Sequence, residues 1–189
     1  HSQRTLQNNN WKHTHELLQK ENSYMPTIKQ FADFLKLLKS GKVHDSNGNL
    51  LSQTTIDAVL DDILTVREPW RAEWLDADFK VKGKSLFINY QHRIVKGKLK
   101  PQNSKVLEDY LAENKTPGID LDSWLANSNK YGLPRANVNS GSLYYYAPMF
   151  DNNSVAGFDA GSVGAILYCD RVAGFSYSGL GVRAAKIRS

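Results

Sequence analysis

Apolar positions follow three different rhythms along this chain. In the first third they recur at three- and four-residue steps, then they alternate, and after Gly132-Leu133-Pro134 no helical period remains. A polar, Asn-rich start becomes helix-compatible over 11–18. Pro26-Thr27 opens a clearer helix in which Ile28, Phe31, Phe34, Leu35 and Leu38 share a face, ended by Ser40-Gly41. Another spans about 54–67, with Ile56, Val59, Leu60, Ile63 and Leu64 on one side and Pro69 as its boundary. Between them, Asp45-Ser46-Asn47-Gly48-Asn49 has turn chemistry. It has a faint likeness to a calcium loop but lacks the bidentate Glu such a loop needs.

From 79 to 95 the period changes to two: Phe79 and Val81, then Leu86, Ile88 and Tyr90, with Gly83 at the turn. Two short helices are expected next, over 104–112 and 120–127, separated by Thr116-Pro117-Gly118. The last third reads as loops and short strands rich in Gly, Ser and Tyr, and no tandem repeat is visible.

Within 157–180 two series alternate. Phe158, Ala160 and Ser162 oppose Gly157, Asp159, Gly161 and Val163. After a shift at Gly164-Ala165, the series Ala165, Leu167, Cys169 and Arg171 opposes Ile166, Tyr168, Asp170 and Val172. A third piece sets Ser176, Ser178 and Leu180 against Phe175, Tyr177 and Gly179. Successive strand side chains point to opposite faces, so each series can share one. One series suits packing; the other mixes sizes, charges and polarities. A core face wants matched volumes, and a solvent face would carry Lys, Glu or Thr. Yet no Lys, Glu, Gln, Trp, His or Thr occurs from 138 to 183.

Charge sharpens this contrast. Residues 140–182 hold one Arg (Arg171) against three Asp (Asp151, Asp159, Asp170), so the remainder carries +7 of an overall +5. Lys80, Lys82, Lys84, Lys96, Lys98 and Lys100 supply much of it, read as a solvated hairpin whose lysines protect an edge. Nucleic-acid binding is the lesser reading, because the nearby aromatics do not repeat as a stacking platform. One cysteine, Cys169, excludes an intrachain disulfide and a Cys-rich zinc site. His13 and His15 could touch a metal, but no third ligand is suggested, so no metal and no cofactor are expected. No apolar run approaches the roughly 18–20 residues of a membrane helix. The start, His1-Ser2-Gln3-Arg4, lacks the apolar core of a signal peptide.

A resemblance emerges from particular runs. Gly132-Leu133-Pro134, Asn137-Val138-Asn139-Ser140-Gly141, Leu143-Tyr144-Tyr145-Tyr146-Ala147-Pro148, Ser154-Val155-Ala156, Phe158-Asp159-Ala160 and Leu180-Gly181-Val182-Arg183-Ala184-Ala185-Lys186 resemble variable proteins of diversity-generating retroelements. In that family a reverse transcriptase copies a template repeat while randomising adenines, and Asn codons become many residues but never Lys, Glu, Gln, Met or Trp. The mixed series contains none of these five; Met149 lies within the region and is set outside the varied set. The resemblance covers roughly 119–188 and implies a C-type lectin-like fold displaying an exposed binding face. The hairpin and helices of 79–112 fit that fold's first strand and helices in order only.

The expected architecture is therefore α+β: a helical segment, 1–68, then a C-type lectin-like ligand-binding domain, 69–189, of antiparallel strands, two helices and a loop-rich C-terminal half. Its hypervariable region is about 140–183. The candidate ligand-binding residues are Tyr144, Tyr146, Phe150, Gly157, Asp159, Gly161, Val163, Ile166, Tyr168, Asp170, Val172, Phe175, Tyr177 and Gly179. Tyr offers contact area with little rotamer entropy to lose, beside small Gly and Ser. Tyr145 is expected to point inward. No catalytic residue is assigned. Calcium-lectin Glu-Pro-Asn or Gln-Pro-Asp loops are missing, as is the cysteine pair of formylglycine-generating enzymes. Cys169 with His92 as base is weighed against a buried thiol, which is commoner. Arg183 is read as a structural arginine. The resemblance implies recognition of a protein or surface ligand from a virion or cell surface, without nucleic acid or membrane insertion. A fixed-specificity adhesion module on the same scaffold is the alternative, and a hydrolase using Cys169 a distant third.

Overall fold

Short polar side chains start each of the first three helices in the computed structural model, which describes residues 5–66, 68–108 and 110–186. They are α1 (Trp11–Lys20), α2 (Ile28–Lys39) and α3 (Gln53–Leu64). Asn10 accepts from the His13 amide and Ser52 from that of Thr55, while Thr27 and Gln30 form a reciprocal capping box. Buried Ile28, Phe31, Leu35 and Leu38 form the face of α2 that the periodicity predicts. The expected helix end at Arg67 lies outside the described residues, as do the first four residues and Arg188.

Eight strands follow: β1 (Arg71–Lys82), β2 (Ser85–Val95), β3 (Lys98–Val106), β4 (Lys115–Ile119), β5 (Leu143–Tyr146), β6 (Ser154–Gly161), β7 (Gly164–Val172) and β8 (Leu180–Gly181). Helix α4 (Leu121–Asn127), capped by Asp120, lies between β4 and β5. The spatial order is β3-β2-β1-β6-β7-β5-β4, and β8 pairs with β1. Pairing is antiparallel except for β5 with β7 and β8 with β1. The architecture is thus α+β around one large, mostly antiparallel sheet.

Two local expectations are corrected. Residues 104–106, expected to begin a helix, complete β3 opposite Phe87, Ile88 and Asn89. Ladder hydrogen bonds to β2 outweigh a weak helical pattern there. The strands expected over 79–95 are present as the end of β1 and β2, whereas no helix forms among the described residues of 104–112. Thr116-Pro117-Gly118, expected as a linker, lies inside β4. This strand is at the sheet edge, where proline's missing N–H costs little. On the other edge, β3 is mostly exposed and carries Lys98, Lys100 and Lys105, as the solvated-hairpin reading holds.

Both faces of the sheet carry a core. On one side α2, α3 and α4 bury Phe31, Leu35, Ile56 and Trp124 against Leu75, Phe79, Phe158, Tyr145 and Leu167. On the other, Trp11 and Leu18 of α1 and Met25 pack on Trp74, Val155, Leu180 and Val182. The helical first third and the strands after it therefore share two cores. Backbone bridges tie the two ends of the fold. Thr5 and Val182 exchange hydrogen bonds of 2.8 and 2.9 Å, and so do Tyr24 and Ala185 at 2.9 Å each. Asn8 donates to Leu180 O at 3.0 Å.

Candidate functional site

Pairing between β5, β7 and β6 sets side chains in rows on the sheet face opposite the larger core. Tyr146 lies beside Tyr168, and Tyr168 beside Gly157. The two tyrosine rings stack at 5.1 Å with planes 5° apart. Next in line, the register of β6 against β7 slips: Gly157 faces Tyr168, yet Val155 faces Arg171. Three steps on β7 thus answer two on β6, a bulge that turns Arg171 onto the tyrosine face. Its guanidinium carbon sits 4.4 Å from the Tyr168 ring centroid and 5.9 Å from those of Trp74 and Phe175. Phe175 contacts Tyr177 at 5.4 Å, and Tyr177 meets Trp70 edge-on at 6.3 Å. A continuous row results: Tyr146, Tyr168, Arg171, Phe175, Tyr177, Trp70. Phe175 and Trp70 are 48% and 45% exposed.

The electrostatics of this face centre on an ion pair. Arg171 Nη2 donates to Asp159 Oδ2, and both side chains are nearly buried. Burial, then the Asp159 charge, pushes the Tyr168 phenol up to about 12. Burial likewise raises the Asp170 carboxyl above the ordinary range.

The fourteen residues singled out in the sequence divide three ways. Phe150, Val163, Val172 and Phe175 are exposed, with Phe150 the most so at 67%. Tyr144, Tyr146, Tyr168, Asp170 and Tyr177 are half-buried. Gly157, Asp159, Gly161, Ile166 and Gly179 are buried, which corrects their placement on a solvent face. Strict alternation treats β6 as half-covered, whereas β6 lies between β1 and β7 with both faces packed. A Cβ at Gly157 would come 3.2 Å from Glu73 O and 3.4 Å from Arg171 Nε. One at Gly179 would come 2.3 Å from Trp70 O. The bulge also exchanges two residues: Arg171 joins the tyrosine face, and Val172 moves to the side of Ser154.

Arg171 and Trp70 are the members of the row that sequence reasoning missed. A bulge leaves no mark in alternation, and Trp70 precedes the first strand. Tyr145 points inward and is fully buried, as expected.

Elsewhere, Cys169 is a free thiol in the larger core, and burial pushes its pKa well up. A protonated, enclosed sulfur is a poor nucleophile. His92 is occupied by Asp76, with Nδ1 2.5 Å from Oδ1. Arg183 is buried against Glu73 (2.6 Å) and Asp62 (2.9 Å), the structural role expected of it. Asp45 Oδ1 accepts from the Asn47 and Asn49 amides, the self-contained turn its sequence implies.

Only one group among the described residues could hold a metal ion: His15, Asp76 and His92. His13 faces outward to Glu16 at 3.2 Å. The two residues that join His15 instead of His13 are Asp76 on β1 and His92 on β2. Burial lowers the His15 pKa to about 4, although Asp76 pulls it the other way. Among the described residues no helix is long and apolar enough to cross a membrane. Comparison of the chain with family models, with curated proteins and with solved structures gives no match.

Proposed function

We propose that this chain is a non-enzymatic recognition protein, binding a protein or surface ligand through the β5–β7–β6 face. Its displayed residues, in this reading, are diversified by a retroelement for viral host attachment or cell-surface recognition. The observation that carries the reading is the row from Tyr146 to Trp70, aromatic rings flanking Arg171 on β5, β7 and the segments beside β7 and β1. Tyr, Trp and Arg dominate interface energetics because they exclude water over large areas at modest entropic cost. Strands β5 and β7 hold Tyr146, Tyr168 and Arg171 pre-ordered, so these lose little freedom on binding. Phe150 and Val163, in the turns before β6 and β7, leave further apolar surface exposed.

The lectin-like scaffold enters through the residue runs of 119–188. A mostly antiparallel sheet agrees with it; the extended 104–106 departs from it. The fixed-specificity reading is favoured by one observation, the burial of five of the fourteen residues. Residues enclosed in packing cannot vary freely.

DNA sequencing around the gene separates the two. The diversified reading expects a near-identical template repeat beside a reverse-transcriptase gene. Its adenine differences should fall on codons for Tyr144, Tyr146, Phe150, Val163, Tyr168 and Phe175 and spare Gly157 and Gly179. A locus with no such repeat leaves the fixed-specificity module.

A further inference from the structure

We infer that His15, Asp76 and His92 form a binding site for a divalent transition-metal ion of the zinc class, joining helix α1 to strands β1 and β2. The site lies off the aromatic face and does not rest on the recognition reading. It arises where the sheet opens. β1 slips register against β6 between Trp74 and Asp78, so that Asp76 falls in an irregular stretch. Past Asn89, β2 stops pairing with β1, and Gln91 takes a left-handed backbone at φ 56°. The Asp76 carboxylate fills the gap: Oδ2 accepts from the His92 amide at 3.0 Å and Oδ1 lies 2.5 Å from His92 Nδ1. From α1, His15 Nε2 approaches the same oxygen at 3.6 Å.

Three features point to a cation. The first is donor identity and spacing. One ligand atom from each residue lies within 4.8 Å of the others. Two atoms bound at about 2.0 Å around a tetrahedral ion are about 3.3 Å apart, so small side-chain adjustments close the set. The second is unmet polarity: His15 Nε2, the nitrogen that faces Asp76, is buried without a hydrogen-bond partner. An unpaired buried nitrogen is costly, and a metal ion shared with Asp76 satisfies it directly. The third is charge. Asp76 is only 3% exposed, yet its ion-pair partners among the described residues are His15 and His92, neither Lys nor Arg. A buried carboxylate requires a positive charge close by.

Supporting groups are also in place. Trp11 packs edge-on against both imidazoles, at 4.5 and 4.9 Å between centroids, and its Nε1 donates to Leu75 O at 2.9 Å. This fixes the rings and keeps the site dry on that side. On the other side Asp76 and His92 line a cavity of about 320 Å³, bounded also by Tyr24, Gln91 and Gln102. That opening is an entry path and leaves a fourth position for water or a small ligand. For His92 to bind through Nδ1 its ring proton sits on Nε2, which lies 3.7 Å from Asp78 Oδ1.

The test is metal uptake by the whole chain, stripped with chelator and then titrated with zinc or with cobalt(II) as a spectroscopic stand-in. One ion per chain is expected, with a melting temperature that rises with zinc and visible cobalt bands from nitrogen–oxygen coordination. His15→Gln and Asp76→Asn should each weaken uptake by at least about tenfold. His13→Gln, altering the exposed neighbour, should bind as the parent does. His15 makes no side-chain hydrogen bond within 3.5 Å, so His15→Gln decides the matter even where Asp76→Asn fails to fold. No stoichiometric uptake by the parent overturns the site. So does uptake that persists in His15→Gln or disappears in His13→Gln.

Discussion

Arg171 reaches its carboxylate partner, Asp159, only by lying across a glycine. Gly157 stands between them on β6, and a side chain there would meet Arg171 Nε at 3.4 Å. Pair and glycine form one unit beneath the Tyr168 ring. Removing the carboxylate leaves a nearly buried guanidinium without its counter-charge, so Asp159→Ala should destabilise by about 3–5 kcal/mol. Asp159→Ala with Arg171→Leu should recover much of that loss. Urea denaturation of the single and double variants checks both, and equal stability of all variants would show the pair to be inconsequential.

Glycines of the same segment should respond unequally. Gly179→Ala forces a methyl group against Trp70 O and should cost about 1–3 kcal/mol. Gly161→Ala meets nothing closer than Ile166 Cδ1 at 3.9 Å and should shift stability by less than about 1 kcal/mol. Thermal melts of the two alanine variants compare them directly.

Tolerance should follow exposure rather than alternation. Joint replacement of Phe150, Val163, Val172 and Phe175 by Ser removes exposed apolar groups and should keep cooperative unfolding. Leu167→Ala, in the core behind the same strand, should cost about 2–5 kcal/mol. Circular dichroism during heating distinguishes these outcomes; loss of cooperativity in the fourfold variant would place those residues in the core.

In chelator-treated protein His15 should make stability pH-dependent. Its folded pKa is lowered from 6.5 to about 4, chiefly by burial, with His92 and Arg93 adding to the shift and Asp76 opposing it. Unfolded chains bind the extra proton more readily, so the contribution is complete above pH 6.5 and is lost as pH falls towards 4. The slope is at most about 1.4 kcal/mol per pH unit. Chemical denaturation across this range should show the decline, and His15→Gln should flatten it.

Helices were the most legible part of the chain, because caps such as Thr27–Gln30 and one-sided apolar faces are local signals. Alternation in 157–171 located β6 and β7, and it separated Phe158 and Leu167 from Tyr168 correctly. It failed where a neighbour decides. Two flanking strands bury Asp159 and Gly161, and one extra residue turns Arg171 over; neither is written in a two-residue period. Val106 and Pro117 sit in strands for the same reason, since edge pairing overrides local preference. The His15–Asp76–His92 cluster was invisible in the sequence because its members lie 61 and 16 residues apart and meet only when α1 docks on the opening between β1 and β2.

Bridges from Thr5 to Val182 and from Tyr24 to Ala185 impose an order of events on biosynthesis. As the polypeptide leaves the ribosome, Trp11 and Leu18 emerge early, but half of their apolar bed, Leu180 and Val182, is made about 160 residues later. Throughout elongation the amphipathic α1 waits with its tryptophan uncovered, a natural client for chaperones that hold nascent chains. Completion of this layer requires residues 180–185, which pair with β1, Thr5 and Tyr24. Any nascent product that stops before Leu180 keeps that surface open and presents it to cellular proteolysis.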